Sequence, residues 1–319
     1  MANSTPSRPM LREGGSDPLE LALDVRGGEV LTAYNSAIVM GDKHKVEQLS
    51  GAKSKKFPAF WNASSEYHTP GTEITGGAIA SQDVTVSPDD KLISSVFVAD
   101  VDEALFDVEV RSPYTEAIGR ELAQHYDRNV MRAVLKSARS GALFTGDQGG
   151  STLEDADFDT SATALFDGLS MAKETMDEKD VPVDLHPVYG LLPTAQWYML
   201  ARSDRNLNRD YNGGAASIQK HTLTTVDDIQ ITKSNVANKV FGVDSSADSD
   251  IPSYYQLDAT NSRGLVFTPY AAASVVVQDL GFQMVDQPEK QGILLIGRRM
   301  VGTRALRSKT SVELAIPGV

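Results

Sequence analysis

The chain has 319 residues, 41% of them hydrophobic, so it is long enough for one large or two moderate domains with a real core. Its 30 Lys and Arg against 43 Asp and Glu give a net charge of −13, which argues against a dedicated DNA-binding role because such proteins grip phosphates through basic surfaces. The absence of cysteine excludes disulfides and thiolate metal sites, and no apolar run reaches the roughly 18 residues of a membrane helix.

The first third of the chain predicts an arm followed by a β-hairpin. Residues 1–18 are rich in Ser, Pro, Gly and Arg and lack the apolar core of a secretion signal, so we expect a flexible arm. Residues 50–90 combine aromatic side chains with many Gly and Pro, and strand-like residues follow at 84–86 and 92–98. This pattern predicts a long hairpin with a polar, glycine-rich tip.

The clearest helix signal begins at Ser112 and Pro113, a pair typical of a helix start. Apolar residues then recur every four positions as far as Ala138, and Gly141 marks the end, which predicts a helix over 112–139, about 40 Å long. Further helices are predicted at 161–178 and 193–201, and strands at 187–192, 228–233, 264–268, 273–278, 292–301 and 311–316. Because helices and strands mix without regular βαβ alternation, the expected class is α+β.

Several blocks of the sequence resemble the major capsid proteins of T-seven-like podoviruses. The blocks are RGGEVLTAY at 26–34, the order and spacing of Lys53, Phe57, Tyr67 and Pro70, and DKLISSVFVADVDEALFDVEVRSPYTEAIGRELA at 90–123. The similarity covers 26–140 well and is weaker at 189–201 and 264–316. Several blocks in the right order carry the resemblance, whereas RGGEVLTAY alone would be weak.

The resemblance implies a fold of the Hong Kong 97 type. It places an N-terminal arm at 1–49, an extended β-hairpin loop at 50–99 and a peripheral domain at 100–179 and 263–319, with a spine helix at 112–139. An axial domain would occupy 180–262. Glycine-rich positions such as Gly51 are either ordinary turns or joints about which the arm and hairpin flex, which would let one chain occupy different positions in a shell.

The resemblance also implies a function. It indicates a structural protein that self-assembles as hexamers and pentamers into the icosahedral head enclosing the double-stranded DNA of a tailed phage. Assembly would take place in the bacterial cytoplasm, with a scaffolding protein and a portal protein as partners, and DNA packaging would drive expansion of the precursor shell. The packaged DNA would be contacted without sequence specificity, and no membrane would be involved.

The hairpin supplies the first candidate contacts between subunits. A two-stranded hairpin is marginal in water by itself, so this one either folds back over its own core or, as the resemblance favours, docks on a neighbour. Its aromatic candidates are Phe57, Phe60, Trp61 and Tyr67. At its base, Lys53, Lys55 and Lys56 are either solvated or paired with acids of a neighbour. The candidate acids are Asp100, Asp102 and Glu103.

A basic segment near the C-terminus supplies the second set. Residues 290–309 contain no acid, although the chain as a whole is acidic. The candidate contact residues are Arg298, Arg299, Arg304 and Arg307. They either form separate ion pairs within the chain or meet the acidic surface of the next subunit, and contact with packaged DNA is a third alternative.

No pattern indicates an enzyme. HExxH, GxSxG, a phosphate loop and GxGxxG are all missing, so we expect no catalytic, metal or cofactor site. The acidic stretch 147–159 fails as a calcium loop, because Thr160 and Phe166 stand where glycine and glutamate are needed. The alternatives are an encapsulin-like protein shell around enzymes and, from another class, a soluble hydrolase or binding protein.

Overall fold

The computed structural model describes residue 34 and residues 37–60, 63, 65–74, 76–101, 111–203 and 225–318. The chain divides into two compact units. Unit 1 comprises the described residues of Met1–Gly41, Pro88–Arg128 and Val276–Val301. Unit 2 comprises those of Asp42–Ser87, Asn129–Val275 and Gly302–Val319. Most of the expected arm, and the acids Asp102 and Glu103, lie outside the described residues.

Helices and strands are mixed, which confirms the α+β class. The α-helices with both ends described are α1 (Arg111–Arg139), α2 (Ala162–Asp177) and α3 (Thr194–Ala201). The strands are β1 (Lys45–Gln48), β2 (Lys55–Phe60), β3 (Ser81–Val86), β4 (Leu92–Ala99), β5 (Ser151–Glu154), β6 (Tyr189–Leu192), β7 (Thr225–Val226), β8 (Ile229–Lys233), β9 (Ser262–Phe267), β10 (Ala272–Gln287), β11 (Gly292–Ala305) and β12 (Ser311–Ala315). Short 3-10 helices lie at Ala156–Asp159, Val236–Lys239, Ser253–Tyr255, Pro269–Ala271, Pro288–Lys290 and Ser308–Thr310.

The long helix predicted from the four-residue periodicity is α1, which begins one residue earlier than expected. Pro113 therefore lies in its first turn, where the N–H that proline lacks would have no partner within the helix. Within unit 1, Ile118 and Leu122 of α1 pack with Val98 and Leu295. Burial of this apolar face, more than helix propensity, stabilises a helix in a folded protein.

Strand β4 is the part of the predicted hairpin that the structure places elsewhere. It pairs antiparallel with β11, from Gly292 opposite Ala99 to Arg299 opposite Leu92, in a sheet with the order β1-β10-β11-β4. A Cβ on Gly297 of β11 would collide with side chains of α1, so glycine lets strand and helix approach closely. The apolar residues at 92–98 therefore belong to the core of unit 1, and the hairpin is only β2 and β3.

Unit 2 is built on a sheet with the strand order β5-β12-β9-β6-β8-β7. Strand β12 runs parallel to β5 and antiparallel to β9, and all five of its residues are buried. The core of this sheet and the helices α2 and α3 includes Leu165, Leu169, Met176, Leu192, Leu200, Val312 and Leu314. Because β5, α2 and β12 share this core, it extends well beyond the expected axial domain at 180–262.

The C-terminal end of α1 is fixed to this sheet by an ion pair between the exposed Arg139 and the buried Glu313. Arg139 donates hydrogen bonds from Nε and Nη2 to the two carboxylate oxygens of Glu313, at 2.7 Å each. Glu313 is only 1% exposed and also accepts hydrogen bonds from Ser262 and Thr152. The hydrogen bonds between Arg139 and Glu313 raise the pKa of Arg139. Bidentate, charge-assisted pairs of this kind are among the stronger polar contacts in proteins.

Replacing Arg139 with alanine should lower the free energy of unfolding by about 3 kcal/mol, because Glu313 would remain buried without its cation. Urea denaturation of the unassembled chain measures the loss. The matched control is Arg128→Ala on the same helix, since Arg128 pairs at 2.7 Å with Glu121, whose side chain is exposed. That change should cost no more than about 1 kcal/mol. Equal losses for the two variants would contradict a special role for the pair with the buried Glu313.

Candidate assembly surface

The base of the hairpin is anchored to its own chain. Strands β2 and β3 pair antiparallel along their full length. On their inner face, Phe57 and Val86 are buried against Ala273, Val275 and Leu306. Phe57 is 5% exposed, which leaves it out of reach of a neighbouring subunit in this conformation, contrary to the expectation from sequence.

The tip of the hairpin has the opposite character. Every described position from 63 to 80 is exposed. Phe60, on the outer face of β2, is 66% exposed, and Tyr67 is fully exposed at 105%. Ile74 and Ile79 are also exposed. Exposed apolar side chains grouped in this way are typical of interaction sites. Trp61, the remaining aromatic candidate, lies outside the described residues.

The lysines at the hairpin base differ in their surroundings. Lys55 pairs with Glu47 of β1, which also lies 3.1 Å from Lys45. Lys56 lies 3.6 Å from Asp83 across the hairpin, and Lys53 is exposed. The hydrogen bond from Lys55 holds the pKa of Glu47 below its ordinary value. Lys55 and Lys56 thus have acidic partners within their own chain.

Arg299 is buried in the core of unit 1. Its guanidinium carbon lies 4.3 Å from the ring centre of Tyr126 and 5.1 Å from that of Tyr34, and it donates a hydrogen bond to the Tyr34 hydroxyl. Burial lowers the pKa of Arg299 to about 10. The cation–π contacts connect the root of the arm to α1. Arg299 is therefore an internal residue and not a surface contact as the sequence suggested.

The other basic residues of this segment also make contacts within the chain. The guanidinium carbon of Arg304 lies 4.2 Å from the ring centre of Tyr254, and Lys309 pairs with Asp147 at 3.4 Å. Arg298 and Arg307 are half-buried. Lys309 thus forms an ion pair within the chain, whereas Arg304 contacts an aromatic ring of its own chain.

The acidic candidates are partly described. Asp100 is exposed at the end of β4. In the acidic stretch, Asp155 accepts a hydrogen bond from the N–H of Asp157 at 2.9 Å, and Asp159 accepts from Gln196 at 2.9 Å and pairs with Arg263 at 2.5 Å. Among the described residues, no group of three or more His, Cys, Asp or Glu could hold a metal ion. No helix within the described ranges is long and apolar enough to cross a membrane.

Comparison with known proteins identifies the family. The model of the Gp10A-like major capsid protein family matches residues 56–315. The chain belongs to this family. It is 32% identical to a chain of the capsid structure of cyanophage P-SCSP1u, covers 100% of both chains, and superposes with a TM-score of 0.76.

Two further comparisons show how far the similarity to known capsid proteins extends. The major capsid protein of Escherichia phage T7 is 32% identical over 120 residues, which are 37% of this chain and 35% of the T7 protein. The match therefore spans about a third of that relative's length. The mature capsid of bacteriophage PhiM1 is 14% identical with a TM-score of 0.74 over 88% of each chain, which shows the fold alone.

Membership of the family confirms the resemblance seen in sequence and the capsid fold it implied. The chain is a structural component of the virion capsid, and self-association into capsid oligomers follows from this class. An encapsulin-like shell is not favoured. The matches that bear on function are to capsid proteins, whereas a virus-like particle from Pyrococcus furiosus, 14% identical with a TM-score of 0.54, shows the fold alone. The same comparisons indicate a protein that is not an enzyme.

Sequence reasoning overlooked three residues of this surface. Ile74 and Ile79 are exposed on the tip, and Glu47 pairs with the lysines at the base. The signal for the isoleucines was available, because large apolar residues within a glycine-rich polar segment have no core of their own to enter. Glu47 carried no signal, since its partner Lys55 belongs to another strand.

The two phenylalanines of β2 offer a test within one strand. Phe57→Ala should lower the free energy of unfolding by about 3 to 5 kcal/mol, because it empties a buried site. Phe60→Ala should change it by less than about 0.5 kcal/mol, because Phe60 is already exposed, but should slow shell assembly. Urea denaturation and light scattering measure the two effects. A similar stability loss for both variants would show that Phe60 is also a core residue.

The pairing at the hairpin base should appear in a titration of Glu47. NMR should give this carboxyl a pKa below 4.5, and Lys55→Ala should move it back towards that value. Because the pKa of Glu47 is lowered on folding, its pairing stabilises the hairpin fully at a pH above the unfolded pKa of the carboxyl. This stabilisation is lost as the pH falls through the folded pKa. A Glu47 pKa that does not respond to Lys55→Ala would refute the assigned cause.

Proposed function

We propose that this chain is the shell-forming subunit of the icosahedral head of a tailed phage, assembling as hexamers and pentamers around double-stranded DNA. The observation that carries the proposal is the exposed hairpin tip on an anchored base, in a member of the major capsid protein family. A segment with this many exposed apolar side chains gains stability only when another molecule covers it.

The hairpin tip would lie on a neighbouring subunit. Burying one large apolar side chain contributes about 1.5–3 kcal/mol, so a few residues such as Phe60, Tyr67 and Ile74 would supply a useful share of one contact. Repetition of the contact around a closed shell makes modest individual energies sufficient. The lysine and acidic candidates, Lys53 and Asp100 among them, would set the register of neighbours more than the affinity.

Adaptation to hexamers and pentamers would come from the hairpin and the arm. Gly51, between β1 and β2, has φ +72°, a backbone conformation that only glycine adopts readily, and a Cβ added there would meet no other part of the chain within 4 Å. It is the joint about which we expect the hairpin to swing. The hydrogen-bonded sheets and α1 would move as rigid parts.

The partners are proposed from the same class. DNA would be enclosed without sequence specificity, and a net charge of −13 supports this, because an acidic lining would not bind the genome tightly. A scaffolding protein and a portal protein would direct assembly in the bacterial cytoplasm. We assign the hairpin to the extended loop, α1 to the spine of the peripheral domain, and the six-stranded sheet to a widened axial domain.

The proposal predicts that shells require the tip. Replacing residues 61–80 with Asn-Gly would close β2 and β3 with a two-residue turn and keep Phe60 opposite Ser81. The variant should be soluble and folded but form no shells, whereas the wild-type chain should elute as very large particles with a shell-like outline in electron microscopy.

Size-exclusion chromatography and negative-stain images measure the difference. Normal shells from the variant would refute the role of the tip. Elution of the wild-type chain as a small oligomer under all assembly conditions would refute the proposed function itself.

A further inference from the structure

In unit 2, two cationic side chains contact the ring of Tyr198. Lys233 Nζ lies 4.7 Å from the ring centres of both Trp197 and Tyr198 and 3.3 Å from the Tyr198 hydroxyl. The guanidinium carbon of Arg202 lies 5.7 Å from the same Tyr198 ring. A groove of about 720 Å³ opens beside Tyr198 and Arg202. These four residues form a cation–aromatic patch on α3 and β8.

Among the residues that the structure describes, the patch has no carboxylate partner. Lys233 and Arg202 are exposed, and within the described part of the chain neither forms an ion pair with a carboxylate. Two like charges over one ring repel each other. An anionic group between them would relieve that repulsion, and the tyrosine ring would supply contact area at low entropic cost.

The same unit carries a surface of the opposite charge. An acidic loop at 244–250 presents the exposed residues Asp244, Asp248 and Asp250. Among the described residues, no cation pairs with these carboxylates. The loop is held in place because buried Ser245 donates from its N–H and its hydroxyl to the carbonyl oxygen of Leu257, at 3.0 and 2.9 Å. A preorganised loop loses little entropy on binding.

We propose that the acidic loop of one copy docks on the cation–aromatic patch of the next copy. The inference rests on the proposed function, because it requires identical chains to meet. In a ring of identical subunits each contact joins two different surfaces of the same chain, so a chain that forms rings must carry two complementary surfaces. The patch and the loop meet this condition in charge.

A protein partner fits better than nucleic acid. Tight binding of DNA needs many phosphate contacts, and the patch offers two cations in a chain of net charge −13. Contact with DNA would also leave the acidic loop without a partner. Docking between copies accounts for both unpaired surfaces at once and would set the order of subunits as well as the encounter rate.

A charge-swap cycle tests the contact in the full-length chain. R202E/K233E should lower the rate of shell assembly by about tenfold or more, since it places like charges opposite each other, and D248K/D250K should do the same. The variant with all four changes should recover most of the wild-type rate. In a one-to-one mixture of the two double variants, six-membered rings should form faster than with either variant alone, because alternating copies place unlike charges at every contact of an even-membered ring. Light scattering gives the rates, and electron microscopy identifies the particles.

Several results would overturn the contact. One is assembly of R202E/K233E at the wild-type rate, and another is a variant with all four changes that is as defective as either double variant. A third is that R202E/K233E forms normal shells that package less DNA, which would assign the patch to nucleic acid. If the reversed variants do not fold, R202Q/K233Q must weaken the salt dependence of assembly, and an unchanged dependence would refute the proposal. Failure of the wild-type chain to form shells would instead refute the proposed function.

Discussion

The packing of Phe57 and Val86 against Ala273, Val275 and Leu306 is the contact on which the assembly role depends. It fixes one end of a two-stranded hairpin and leaves the other end with nothing of its own to cover it. A hairpin of two strands cannot bury its own apolar tip, because it lacks a third strand or a helix. The subunit is therefore folded with an uncovered apolar tip, and under the proposed function a second copy would cover it.

Charged residues within each unit are used mainly to hold that unit together. Arg139 and Glu313 connect the end of α1 to the sheet of unit 2, and Arg299 lies between two tyrosines in unit 1. These contacts resist movement because breaking them would leave a buried charge, that of Glu313 or of Arg299, without its partner. The apolar side chains of the hairpin tip, by contrast, are exposed. This division suits a protein that must keep its core rigid while its contacts adapt.

Much of the fold was predictable because its elements carry local signals. The periodicity of 112–139, the capping serine at Ser161 and the apolar runs of β8 and β12 all correspond to elements of the structure. Pairing partners were not predictable in the same way. Strand β4 follows the hairpin in sequence, but its apolar face packs on α1, so it joins β11. Arg299 read as a surface cation because no local pattern reveals two tyrosines distant in sequence.

The central claim is that the hairpin tip is covered by a neighbour in the shell. Amide hydrogen exchange of residues 63–80, compared between unassembled chains and purified particles, tests it most directly. In the free chain these amides should exchange rapidly, since every described side chain there is exposed. In particles they should be slowed by about a hundredfold or more, as at a stable interface. Equally fast exchange in both states would contradict the account.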